Sequence, residues 1–217
     1  MKSFLIIGMG SFGHHLCRCL ARQKCEIMVV DRMGEAIEDV LSFVVSAKIG
    51  DCTKPEVLQS FGVESFDTCF VCMGSNFQNS LQITSLLKEM GAKRVLSKAD
   101  EDIHAKFLLR NGADAIIYPE KHIAERISIE EASDSIFDCI DLGSGYYIME
   151  ISPRKEWVGK SIRELNFRNT YHLNIMAIKR DNTIKMMPDQ NYVFCEEEHI
   201  LVLGMQMNLL RAAGTDE

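Results

Sequence analysis

Residues 6–13 read IIGMGSFG, a short apolar run that breaks into glycines at positions 8, 10 and 13 and then continues with helical spacing. No other feature constrains the fold of this chain as strongly. In a GxGxxG turn between a strand and a helix, the first glycine permits the tight turn and the second lets backbone approach a phosphate. The third allows the helix to pack closely on the strand. The free N–H groups and positive dipole end of a helix beginning near Ser11 then suit an anion. The spacing alone is a weak signal; a strand before it and a helix after it sharpen it. The helix reads over 12–22, with Phe12, Leu16, Cys19 and Leu20 on one stripe.

The alternation persists through the first 120 residues. Apolar runs at 3–8, 25–31, 43–51, 67–74, 93–99 and 115–119 predict strands, and amphipathic stretches at 12–22, 34–41, 54–62, 76–92 and 102–113 predict helices. Gly91 and Gly112 fall where a helix C-cap glycine belongs. Strands alternating with helices imply right-handed crossovers and a doubly wound parallel sheet. Six strands complete a Rossmann-like α/β domain by about residue 118. Residues 122–143 predict one more helix, which either packs on the finished sheet or links onward to a second domain or a partner chain. From 146 the pattern changes to short strands at 146–153, 173–180, 182–188 and 199–204, with short helices near 160–166 and 206–213. These predict a small α+β module. The expected division is 1–138, including a linking helix at about 120–140, and 141–217.

Polar residues close several strands of the first domain. Asp31, 18 residues past Gly13, ends the second strand, where a carboxylate can accept both ribose hydroxyls of an adenosine. Its charge opposes a 2′-phosphate, although Arg32 beside it softens that opposition. Asp51 and Cys52 close the third strand, over the expected adenine, so Asp51 can accept from the exocyclic amine. Gly74, Ser75 and Asn76 follow the fourth strand at the crevice where strand order switches, and Lys98 closes the fifth, within reach of phosphate. A dehydrogenase also needs an acid or base that reaches the nicotinamide. The tail offers only His172 and His199 for that, so the pattern favours binding over catalysis.

Composition narrows the rest. A formal net charge of −7 argues against a nucleic-acid partner, which requires a basic face. No window approaches about 18 consecutive apolar residues, so no membrane span is expected. The apolar start is interrupted too early for a signal-peptide core, and a cytoplasmic chain is the expectation. Eight cysteines without a secretory context predict free thiols rather than a disulfide framework. Cys69 and Cys72 spell CxxC, but on a strand these positions face opposite ways and cannot share a metal. The histidines show no HxxxH or HExxH spacing, so zinc is not expected.

Taken in order, IIGMGSFG, VVD, IGDCT, VCMGSNFQNS, LSKAD and GADAIIYPEKHIAERI resemble the N-terminal domain of regulators of potassium conductance (RCK). The tail, WVGKSIRELNFRNTYHLNIMAIKR through EEEHILVLG, is similar to the C-terminal RCK domain. The resemblance covers essentially the whole chain and is nearest to the KtrA/TrkA family, cytosolic regulatory subunits of bacterial potassium uptake. It implies a homodimer that assembles into an octameric ring on the cytoplasmic face of a membrane potassium channel or transporter, without itself entering the membrane. It also implies an adenine nucleotide (ATP, ADP, AMP or NAD(H)) held by Gly8, Gly10, Ser11, Phe12, Gly13, Asp31, Arg32, Asp51, Cys52, Gly74, Ser75 and Lys98. Glu120 matches a family carboxylate that holds a divalent cation, magnesium or calcium, near the phosphates. The helix after it matches a crossover helix. In some relatives the C-terminal domain binds cyclic di-AMP, and Ile162, Phe167, Arg168, Asn174 and Pro188 occupy comparable positions. One departure stands out: Ser11 lies where KtrA-like members usually carry an arginine for a terminal phosphate. A neutral hydroxyl cannot replace that charge-assisted contact, so ADP, AMP and NAD(H) gain weight against ATP. The alternatives are a small NAD-dependent oxidoreductase and a sensor of the same type serving a non-potassium transporter.

Overall fold

A computed structural model of the chain describes residues 1–74, 76–181 and 183–215. These residues form two compact units, Met1–Lys121 and His122–Glu217. The first unit runs β1 (Ser3–Ile7), α1 (Ser11–Ala21), β2 (Glu26–Asp31), a 3-10 helix (Gly34–Phe43), β3 (Ser46–Ile49), α2 (Pro55–Gln59), β4 (Thr68–Val71), α3 (Phe77–Glu89), β5 (Val95–Lys98), α4 (Asp102–Arg110) and β6 (Ala115–Ile117). Its strands pair in parallel in the order β3-β2-β1-β4-β5-β6. The chain builds outward from β1 to β3, then returns to place β4 on the other side of β1. The carboxyl ends of β1 and β4 therefore flank the switch point, where such sheets bind ligands.

Both sheet faces are covered, which is why the strands read as continuous apolar runs. Leu5, Ile7, Val30, Cys69 and Val71 pack on one face, and Ile6, Ile27, Val29, Phe70 and Cys72 on the other. Cys69 and Cys72 thus face opposite cores, as their spacing predicts, and burial pushes both thiols up to about 12.

Helix α5 (Pro119–Glu131) straddles the division between the units. The second unit continues with β7 (Ile136–Gly143), β8 (Tyr146–Ile151), α6 (Phe167–Tyr171), β9 (Asn174–Arg180), β10 (Thr183–Met186), β11 (His199–Met205) and α7 (Gln206–Ala213). Its sheet is antiparallel, in the order β10-β9-β11-β8-β7. Trp157, Phe167 and Phe194 are buried at its core, with the Trp157 indole N–H donating to the Tyr171 hydroxyl at 2.7 Å.

Two expectations are corrected here. The helix predicted over 122–143, and with it the linking helix of about 120–140, stops at Glu131; residues 136–143 form a strand instead. Ser144 and Gly145 both take positive φ (56° and 79°), closing a tight hairpin that pairs β7 with β8. The short helix predicted near 160–166 lies at Phe167–Tyr171, because Asn166 is left-handed (φ 45°) and a helix cannot run through it. Among the described residues, no helix is long and apolar enough to cross a membrane.

Candidate ligand crevice

The three glycines of the β1–α1 turn are needed for different reasons. Gly8 is left-handed (φ 93°), and a Cβ there would come within 2.7 Å of Met73 Cγ. A Cβ at Gly13 would run into the Gly8 carbonyl oxygen, so the third glycine is what lets α1 sit on the turn. Gly10 differs from both. Its backbone is extended (φ −71°, ψ −175°), and apart from its two chain neighbours nothing among the described residues lies within 4 Å of where its Cβ would be. No contact among the described residues demands glycine at position 10; the room it leaves lies at the N-terminus of α1. That terminus has no side-chain cap and no acidic residue in its first turn, so its amides and dipole are uncompensated. Ser11 is exposed beside it, while Phe12 is half-buried against the core.

Asp31 closes the turn. One carboxylate oxygen accepts the Met9 N–H at 2.7 Å and the other the Met33 N–H at 2.9 Å. Gly8 N–H donates to the Val30 carbonyl at 2.9 Å, which ties the same turn to β2. Arg32 is exposed, its Nε 4.0 Å from Asp51 Oδ2. The hydroxyl of Thr53 donates to Asp51 Oδ1 at 2.7 Å and the Thr53 N–H at 3.1 Å; these bonds hold the Asp51 carboxyl below its usual range. Cys52 turns inward to the core with Leu5 and Val30, where burial pushes its thiol up to about 12.

On the far side of the switch point, Asn76 caps α3 by accepting the Asn79 N–H at 3.0 Å. Ser75 lies outside the described residues. A Cβ at Gly74 would collide with the carboxylate of Asp100, a residue that sequence reasoning missed. Asp100 is anchored by the Tyr118 hydroxyl, which donates to its carbonyl at 2.7 Å. Lys98, only 12% exposed at its side chain, donates to Asp100 at 2.7 Å and meets Glu120 at 2.8 Å. Burial opposes the Lys98 ammonium, but these two carboxylates outweigh it and hold its pKa above the ordinary lysine value. The same bond from Lys98 holds Glu120 below the usual carboxylate range. Lys98, Asp100 and Glu120 therefore form one ion-paired cluster. The only sequence signal for Asp100 was its place two residues after Lys98, just past the strand end.

In the second unit, the residues expected to form a second ligand site have varied surroundings. Phe167 belongs to the aromatic core, with its ring centroid 5.0 Å from Trp157 and 4.9 Å from Tyr171. Ile162 packs against that core and its carbonyl accepts the Phe167 N–H at 3.3 Å. Arg168 and Asn174 are exposed, and Pro188 is half-buried.

The family model described as the TrkA-N domain matches residues 4–119, and that described as the TrkA-C domain matches 146–212. Two relatives from Bacillus subtilis (strain 168), the Ktr system potassium uptake proteins C and A, are each 32% identical over 97% of this chain and 95% of their own. The fold is also that of the GsuK channel bound to NAD, with a TM-score of 0.69 at 17% identity over 100% of this chain. The GsuK RCK domain gives 0.68 at 17% identity over 98% of the chain. GsuK bound to ADP gives 0.51 at 15% identity over 60%. The match spans 40%, 48% and 35% of those longer chains, respectively.

Proposed function

Because the chain belongs to the family of proteins built from TrkA-N and TrkA-C domains, we propose that it is a nucleotide-sensing regulatory subunit of a potassium-uptake system. The observation that carries the nucleotide reading is Gly10, which neither backbone strain nor packing requires to be glycine, next to an uncapped helix N-terminus. An adenine nucleotide lies along the strand ends: phosphate at Gly10, Ser11 and the start of α1, ribose at Asp31, and adenine at Asp51. Kinship to the Ktr proteins and the NAD- and ADP-bound GsuK structures supports this choice. With Ser11 neutral, ADP, AMP or NAD(H) suits the turn better than a ligand selected by its terminal phosphate.

Among the described residues, no group of three or more His, Cys, Asp or Glu side chains could hold a metal ion. Magnesium or calcium at Glu120 therefore takes its other ligands from nucleotide phosphates or from a second copy of the chain. In the second unit, cyclic di-AMP would meet Arg168 and Asn174, the exposed members of its proposed site, while Phe167 serves the core.

The protein acts by binding rather than by catalysis. Homodimers assemble into a ring, octameric in this reading, which docks from the cytoplasm onto a membrane potassium channel or transporter. The nucleotide biases that ring between two shapes, and it can do so only by its differential affinity for them. A thermal-shift titration with ATP, ADP, AMP, NAD, NADH and cyclic di-AMP, with and without magnesium or calcium, tests this directly. An adenine nucleotide should raise the unfolding temperature, and Asp31→Ala should abolish the rise. No response to any of these, or an unchanged response in Asp31→Ala, refutes the site assignment. Sustained hydride transfer from NADH to a small carbonyl compound would instead favour an oxidoreductase.

A further inference from the structure

His104, on α4, is 3% exposed, and its Nε2 is buried with no hydrogen-bond partner among the described residues. Its ring lies 4.8 Å from that of Phe77, at 44°. Phe77 in turn packs edge-on against Phe107 at 5.8 Å. Phe77 is the first residue of α3, directly after the Asn76 cap. The imidazole therefore supports the start of that helix.

Charged groups act on the ring from two sides. Asp100 and Glu101, just before α4, favour its protonation, and Lys98, at the end of β5, opposes it. Burial outweighs the carboxylates, so the folded protein holds His104 below the ordinary histidine range. The contact from α3 is the uncharged Phe77 ring. A second ring proton would make the buried imidazole cationic, with no acceptor for Nε2 among the described residues, and burying such a charged donor is costly.

We propose that His104 is a positioning residue for the nucleotide site: neutral, it packs beneath Phe77 and holds the start of α3, and protonated, it releases that support and weakens nucleotide binding. The released imidazolium turns toward Asp100 and Glu101. Because Asp100 also packs against Gly74 and binds Lys98, the disturbance reaches the ligand edge from two directions. The proposal rests on the nucleotide reading above.

The test is ADP affinity of the full chain by isothermal titration calorimetry between about pH 7.5 and about pH 5, for wild type, His104→Gln and His104→Phe. Titration of ADP's own phosphate is common to all three proteins and cancels in the comparison. Wild type should lose about threefold or more affinity beyond the loss in either variant. His104→Phe keeps an aromatic ring under Phe77, so it carries the test even if His104→Gln fails to fold. Parallel pH profiles in wild type and the folded variants would overturn the proposal. Amide-exchange protection of Asn79 and Ser80, whose N–H groups bond to Asn76, gives without nucleotide a readout that does not depend on ADP. It should fall on acidification in wild type but not in the variants. If none of the three proteins binds ADP, AMP or NAD(H), the nucleotide reading fails, while this protection difference still upholds the role of His104 in holding α3; its absence overturns that role as well.

Discussion

The two units place their buried polar groups to different ends. In the second, two carboxylates gather several partners each: Glu150 accepts from Lys179 at 2.9 Å and meets His199 Nδ1 at 2.6 Å, with the His199 ring stacked on Phe137. Glu198, 1% exposed, accepts the Tyr192 hydroxyl at 2.6 Å and the Cys195 N–H at 3.0 Å. In the first unit, the fully buried hydroxyls of Thr84 and Ser97 meet at 2.8 Å, but Asp31 is turned on the backbone of the glycine loop, α1 starts without a side-chain cap, and Ser80 Oγ and His104 Nε2 are buried with no hydrogen-bond partner among the described residues. Unanswered polar groups cost stability and are retained where they serve another task. The contrast fits the proposed function, in which the parallel sheet recognises the ligand and the Glu150 and Glu198 networks serve as scaffolding in the second unit.

Substitutions can break that contrast in either unit, and the largest effect is expected in the aromatic core. Trp157 is fully buried among Phe167, Tyr171 and Phe194, so Trp157→Ala should cost about 3–5 kcal/mol in urea unfolding. A loss below about 1 kcal/mol would mean that this core is not the anchor of its unit.

Next comes a pair within the glycine turn. Gly13→Ala drives its methyl into the Gly8 carbonyl and should cost about 2–3 kcal/mol. Gly10→Ala meets open space and should leave stability within about 0.5 kcal/mol while weakening ADP binding by about tenfold or more. Equal stability losses in the two variants, measured by the same denaturation, would remove the argument that Gly10 makes room for a ligand.

Glu150→Gln should cost about 1–2 kcal/mol near neutral pH, because it leaves two donors short of a charged acceptor. Burial raises the pKa of Glu150, but the bonds from Lys179 and His199 outweigh it, so the folded value lies below the ordinary one. That places its stabilisation above the unfolded carboxylate pKa; it is lost as pH falls through the folded value. The acid limb of the stability profile should be shallower in Glu150→Gln, and an unchanged limb would show that the network contributes nothing.

The smallest effect is chemical. Cys52, Cys69 and Cys72 are buried, with thiols pushed up to about 12, whereas Cys19 is exposed. Iodoacetamide at about pH 8 should alkylate Cys19 first, as peptide mass spectrometry would record. Early modification of Cys52 would mean that the strand end beside Asp51 opens more readily than its burial implies.

Much of this was legible in the residues themselves. Gly8, Gly13 and Asp31 announced a turn and its neighbour because steric demand and strand-end position are local properties. The strand at 136–143 was not legible, since Ile136, Cys139 and Ile140 also satisfy helical spacing. Register shifts between Ile136 and Asp138, and between Asp141 and Gly143, blur the alternation that would have marked a strand. Ser144-Gly145, a turn-prone pair, was the signal that could have located the hairpin. Asp100 escaped notice because its place against Gly74 is a contact between separate loops, which no spacing rule records.

By itself the sequence determined the alternating α/β order, the sheet's glycine turn and the smaller α+β module, because glycine sterics and apolar periodicity act between near neighbours. Only the tertiary structure decided that Lys98 is shared by Asp100 and Glu120, that β7 joins the second sheet, and that His104 sits under Phe77. Those outcomes depend on which distant groups share a buried volume, where desolvation and pairing, rather than local preference, set the energy.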